Sequence, residues 1–289
     1  MMRDLKSLIL SNDFDAVEKE LAHNADCAGT VGVFNIFSQK SLGYPLHYLC
    51  RKRDTPLSTM RSMINASPPK AFVYRESSYL STALHLACWY QLSAECILLL
   101  LESSKEALLM EDLDGNLPLH IAAALHPQAD VLVTAFLTLR PETALRQNAK
   151  AQTPLHSLCT REKVPIQLLR RMISTAPNAA GMKDRMGRLP IHHACLQHQA
   201  ELDVLECLLR AYPRAVRVHD HAALTPYGIA RRRWGWPTRD PRVQLLRKDM
   251  IQASPLPVAW RNQIQFKLED WSAKKSHVAI IRAPSTTVQ

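Results

Sequence analysis

Histidine and cysteine stand three residues apart four times in this chain, as His47/Cys50, His85/Cys88, His156/Cys159 and His192/Cys195. Imidazole nitrogen and thiolate sulfur are zinc ligands, so the pairs first raise metal chemistry. Zinc, however, needs about four ligands converging at ~2.0–2.3 Å. Each pair supplies two, and packed helices stand ~8–10 Å apart, too far for successive pairs to share an ion. No metal is expected. His126, His193, His198, His219 and His221 lie at no recurring offset from a nucleophile. The glycine-rich phosphate loops, Gly-x-Ser-x-Gly and His-Glu-x-x-His are all absent. Asp112-x-Asp114-Gly115 begins like a calcium loop, but Leu117-Pro118-Leu119 follows where further oxygen ligands are required. That run reads as a turn, and neither a catalytic residue nor a cofactor is expected.

The pairs belong to a longer recurring element. Thr153-Pro154-Leu155-His156-Ser157-Leu158-Cys159 returns as Tyr44 to Cys50, Thr82 to Cys88, Leu117 to Ala123 and Leu189 to Cys195. The five histidines are separated by 38, 35, 36 and 36 residues, the mark of a stacked repeat array. Proline takes the second place in four copies, with Ala83 the exception. It suits a first helical turn, where its missing N–H has no intrahelical partner to lose. A threonine before it can accept a bond from a free N–H of that turn. Leu155, Leu158 and Cys159 then share one helix face. The large first and small last residue let a neighbouring helix approach, so each heptapeptide predicts a buried inner helix.

A second apolar stripe begins ten residues past each histidine: Leu57, Met60, Met63 and Ile64, then later Ile166, Leu169, Met172 and Ile173, and Leu202, Leu205, Leu208 and Leu209. The second copy runs one residue early from Ala94, and the third carries Asp130 in the first slot before Val133, Phe136 and Leu137. The spacing is helical. Pro68, Pro141, Pro177 and Pro213, each 21 residues past a histidine and usually in Pro-x-x-Ala, are expected to stop this second helix. Asp112 with Gly115, Asp184 with Gly187, and Asn148 and Asp220 in the aspartate slot predict one turn chemistry repeated between units.

Thr-Pro-Leu-His followed by small residues, the paired helices and the Asp-x-x-Gly connector together resemble the ankyrin repeat family. The resemblance covers roughly Ser41 to Ala230. It implies an all-α solenoid of helix–turn–helix repeats with hairpin-like connectors. The chain departs from the family in its period, near 36 where about 33 is usual, and in lacking the glycine between helices and the Gly-Ala-Asp after them. A longer second helix and distorted connectors are the expected consequences. The resemblance further implies a structural histidine bonded to the backbone of adjacent turns. It places partner contacts on the slots four and five residues after each histidine: Arg51 and Lys52, Trp89 and Tyr90, Ala124 and Leu125, Thr160 and Arg161, Leu196 and Gln197. From the connectors it adds Asn116, Lys150, Arg185 and Arg188.

The 289 residues divide along this pattern. Residues 1–40 form a degenerate capping repeat and connector, in which Val33-Phe34-Asn35-Ile36-Phe37 is either a short strand or a cover for the end of the stack. Residues 41–224 hold the five repeats, and 225–253 a capping repeat with Gly228 in the histidine slot. The tail, 254–289, loses the periodicity and is expected to be disordered or loosely docked. Four of the seven cysteines share one buried slot, and their odd number argues for free thiols. The N-terminus has too short an apolar run for a secretory leader, and an intracellular location, cytoplasmic or nuclear, is expected. Charge is uneven: 24 Lys and Arg against 22 Asp and Glu in residues 1–230, and 12 against 4 in 231–289. The reading is a non-enzymatic protein–protein interaction module, an adaptor or scaffold binding another protein through its concave face and connector tips. The alternative is nucleic-acid or acidic-surface binding through the basic C-terminal region. Repeat stacking predicts an elongated, curved monomer of about twelve to fourteen helices.

Overall fold

Proline or alanine at the first helical position starts an inner helix wherever the heptapeptide occurs. The computed structural model describes residues 5–36, 39–197, 200–235 and 237–252. An N-terminal pair, α1 (Leu5–Leu10) and α2 (Phe14–His23), precedes the five repeats. These contain α3 (Pro45–Leu49) with α4 (Leu57–Ala66) and a four-residue turn α5 (Lys70–Val73), then α6 (Ala83–Trp89) with α7 (Ala94–Ser103). The later repeats are α8 (Pro118–Leu125) with α9 (Ala129–Leu139), α10 (Pro154–Leu158) with α11 (Ile166–Thr175), and α12 (Pro190–Cys195) with α13 (Leu202–Ala211). A last pair, α14 (Pro226–Trp234) and α15 (Pro241–Gln252), closes the described part. The described residues thus hold fifteen α-helices, just above the expected range, because α5 replaces a turn that is not α-helical elsewhere. The tail from 254 lies outside the described residues.

Inner helices pack on inner helices (α6 on α8, α8 on α10, α10 on α12, α12 on α14) and outer on outer (α4 on α7, then α9, α11, α13 and α15). Leu155, Leu158 and Cys159 are buried, as are their counterparts in the other copies, and the outer stripes join them in one continuous core. In the third repeat Asp130 faces solvent, while Ala129 and Leu132 on either side of it are buried.

The prolines expected to stop the outer helices do something more specific. The helices already end at Leu139, Thr175 and Ala211, and the next residues, Arg140, Ala176 and Tyr212, take φ near −140° (−142°, −140° and −142°). A residue before proline is pushed out of the helical region by the ring. Pro141, Pro177 and Pro213 then open five-residue 3-10 turns that return Ala144, Ala180 and Val216 to the core. The outer helices are ten or eleven residues long. The extra period therefore goes into a separate turn and not into a longer helix.

The connectors are tight turns. Oδ1 of Asp112 accepts the N–H groups of Asp114 (3.0 Å) and Asn116 (2.7 Å), and Asp184 and Asp220 repeat the arrangement, as does Asn148 through its Oδ1. Each turn needs a left-handed residue five places before the histidine or its slot: Gly115, Gly187, Ala151, Ala223 and Leu80 all have φ between 52° and 73°. At Gly115 a Cβ would also lie 2.7 Å from the Ala149 nitrogen. The tips are sewn together, Leu113 N–H to Tyr79 C=O, Ala149 to Asp114, Arg185 to Lys150 and His221 to Met186, at 2.8–2.9 Å. The first connector alone is a β-hairpin among the described residues. Strands β1 (Gly32–Ile36) and β2 (Gln39–Gly43) pair antiparallel, and Leu42 continues the row of tips by bonding Ser77. Val33 to Ile36 of the apolar run left open by the sequence are thus in a strand, and Phe37 lies outside the described residues.

Candidate partner-binding groove

Four of the five repeated histidines are fixed on both sides. Nδ1 accepts the N-cap N–H of Thr82, Leu117, Thr153 or Leu189 at 3.0–3.3 Å in four copies. Nε2–H must therefore donate, and in all five copies its acceptor is a carbonyl of the next connector: Tyr74, Asn116, Gln152, Arg188 and Val218, at 2.9–3.1 Å. The ring is neutral, and burial holds each of the five down at a pKa of about 4. With both nitrogens committed, His85, His156 and His192 have no lone pair to offer a metal, whereas Nδ1 of His47 is buried without a hydrogen-bond partner. Burial likewise pushes Cys50, Cys88, Cys159 and Cys195 up, the last to about 12, so they remain thiols at neutral pH. His156→Ala strands a buried N–H and a carbonyl, and should cost about 1–3 kcal/mol in urea denaturation without changing the helical spectrum.

His126, which stood at no recurring offset, turns out to bond in the opposite direction. Its Nε2 donates to Leu92 of the preceding repeat at 2.7 Å, and its Nδ1 accepts Gln128 N–H at 3.1 Å.

Several of the partner-contact slots are engaged within the fold. Arg161 Nη1 donates to the carbonyls of Ala123 (3.2 Å) and His126 (3.0 Å). Arg188 Nε meets Asp220 Oδ2 at 3.3 Å, and Lys52 Nζ donates to Leu10 C=O at 3.2 Å. Asn116 receives the His85 bond on its carbonyl and links to Asp112 and Asn148 through its side chain. Lys150 and Arg185 stand exposed on neighbouring tips, and Leu125 is exposed on α8.

Trp89, Tyr90 and Arg51 come together around a groove of about 260 Å³. Tyr79, Leu113 and Asp114 line it from the connector tips, Leu86, Trp89 and Ile121 from the inner helices, and Tyr90 from the residue capping α6. Tyr79 is 50%, Trp89 57% and Leu113 62% exposed, whereas Tyr90 packs against the core. Arg51 arrives from the preceding repeat with its guanidinium 5.4 Å from the Tyr48 ring and 3.7 Å from Glu76. Glu76 is fully buried and takes the aspartate role in this connector, accepting the N–H groups of Ser78 and Tyr79. Tyr79, Leu113 and Glu76 were missed by slot-by-slot reading. An apolar Leu113 between two aspartates at a turn tip was the available signal. Charge divides along the stack: residues 1–145 carry 12 basic and 16 acidic groups, and 146–230 carry 12 and 6.

Paired short and long helices, stacked through a histidine bond into the next connector, align with the ankyrin repeat domain of human ASB11 over 88% of this chain and 100% of that one, at TM-score 0.62 and 16% identity. The chain has the ankyrin repeat fold. The ankyrin repeat domain of Bcl-3 aligns over 85% of this chain and 98% of that one, at TM-score 0.58 and 20% identity. No model of a known family matches the chain, and no curated protein matches it. At these identities the likeness is one of ankyrin fold. No helix among the described residues is long and apolar enough to cross a membrane.

Proposed function

We propose that the chain is a non-enzymatic protein-binding module, an adaptor or scaffold, whose partner docks in the groove around Trp89. The observation that carries this reading is the gathering of three large, half-exposed apolar side chains, Tyr79, Trp89 and Leu113, at one concavity. Aromatic residues are the type enriched at binding hot spots. The ankyrin fold supports the reading as a scaffold that presents connector tips and inner-helix ends on one side. The seven free thiols support an intracellular setting. A displayed peptide library selected on the full chain tests it. Trp89→Ala should weaken the selected peptides by roughly 2 kcal/mol, about thirtyfold, with the melting temperature preserved. Selected peptides that bind a folded Trp89→Ala chain as well as the parent would refute the groove.

A second reading is supported by the excess of basic groups after residue 145 and by the exposed Lys150 and Arg185 tips. An acidic protein surface or nucleic acid would then meet the C-terminal half and tail. Its sign would be affinity for a duplex oligonucleotide that falls steeply with salt.

A further inference from the structure

One group in the groove is left incomplete by the fold. The Arg51 side chain is 10% exposed, and its Nε–H is buried without an acceptor. Its nearest carboxylate, Glu76, lies 3.7 Å from Nη2, beyond hydrogen-bond reach, and already accepts two backbone N–H groups at 2.7–2.9 Å. Buried donors without a partner are rare in folded proteins and call for an explanation. Two units further along the same groove the charge is reversed, with Asp112 and Asp114 among its lining residues. Between these ends lie Tyr79, Trp89 and Leu113. The surface thus asks for an extended segment with a carboxylate first, an aromatic anchor next and a cation after it. Nucleic acid does not fit, because its phosphates would face the two aspartates.

The chain carries such a segment itself. Glu269-Asp270-Trp271-Ser272-Ala273-Lys274-Lys275 has the acidic pair, the aromatic ring and the basic pair in that order. We propose that this segment of the tail docks in the groove, with Glu269 or Asp270 accepting from Arg51, Trp271 against Trp89, Tyr79 and Leu113, and Lys274 and Lys275 facing Asp114. The reach is sufficient. The 18 residues between Gln252 and Trp271 span up to roughly 60 Å when extended, while four stacked units separate α14 from α6 by roughly 40 Å at ~8–10 Å each. From Asp270 to Lys274 the extended chain covers roughly 14 Å, which long side chains extend towards both charged ends. Tethering raises the effective concentration to about the millimolar range, so a weak contact is enough to occupy the groove. The tail then competes with any partner for the site.

The proposal rests on the groove being a binding surface, and the test separates the two. Deuterium uptake is compared in the full chain and its Trp271→Ala variant. Faster exchange in the variant across residues 78–90 and 112–116, with the rest unchanged, is expected; identical uptake there overturns the docking. In a second arm, groove-binding library peptides should bind Trp271→Ala at least tenfold more tightly than the parent. Equal affinities overturn the docking while leaving the groove as a partner site. A charge swap controls for misfolding: Asp114→Lys should release the segment, and adding Lys274→Glu and Lys275→Glu should restore protection. A swap that restores nothing removes the proposed polarity. If the protected signal in the parent depends on protein concentration, the tail of a second copy fills the groove and the intramolecular form is wrong.

Discussion

Between pH 6.5 and pH 4 the repeat array should lose its structure, driven by protonation of its buried histidines. His47, His85, His120, His156 and His192 each have a folded pKa of about 4, against 6.5 for the free side chain. Burial is the main cause, partly offset by the carbonyl to which Nε2–H donates. The folded state favours the neutral ring, so the unfolded chain binds more protons throughout this window. Stability from each histidine is complete above pH 6.5 and is lost as pH falls towards 4. A difference of 2.5 units corresponds to about 3 kcal/mol per ring, so two or three protonations consume most of the ~5–15 kcal/mol that holds a typical domain folded. Asp184, Asp220 and Asp240 are held below the usual carboxylate range and weaken the fold only at more acid pH. Circular dichroism at 25 °C should show unfolding with a midpoint inside the window and an uptake of several protons. A melting temperature unchanged from pH 7 to pH 4.5 would contradict the neutral, buried histidines.

Phe136→Ala should be the most damaging single truncation in the array. Phe136 is fully buried on α9, in the middle repeat, and α9 packs against the outer helices on both sides, α7 and α11. Removing a buried phenylalanine ring leaves a cavity and costs about 3–5 kcal/mol. In a solenoid the loss falls on two interfaces at once, because stability is the sum of unit and neighbour terms. Urea unfolding should move to a much lower midpoint and split into two steps, one for each half of the stack. A single transition shifted by less than about 1 kcal/mol would mean that the middle repeat is not the link between the halves.

The sequence by itself determined the units. Helix starts were legible because proline, threonine and the i, i+3, i+4 spacing act within one turn of chain, and the 36-residue recurrence repeated each local signal. The buried cysteine slot and the aspartate turns followed from the same short-range chemistry, while the structural role of His156 and its copies came from the resemblance, because their Nε2 acceptors lie 26 to 32 residues away. What tertiary structure decided lies between units. The Pro-x-x-Ala stretch reads as a helix stop, yet whether its alanine returns to the core depends on the neighbouring helices that receive it. Arg161 and Lys52 looked like surface cations; their carbonyl acceptors lie 35 and 38 residues away for one and 42 for the other, on other units. His126 finds only the Gln128 N–H locally, and stacking alone supplies the Leu92 carbonyl for its other nitrogen. The groove is of the same kind. Tyr79, Trp89 and Leu113 are ordinary residues of three different segments, and the sewing of adjacent connector tips is what brings them to one concavity. Spacing along a chain encodes contacts within a turn or a helix, whereas the distance between tips is set by how closely small residues let the inner helices stack.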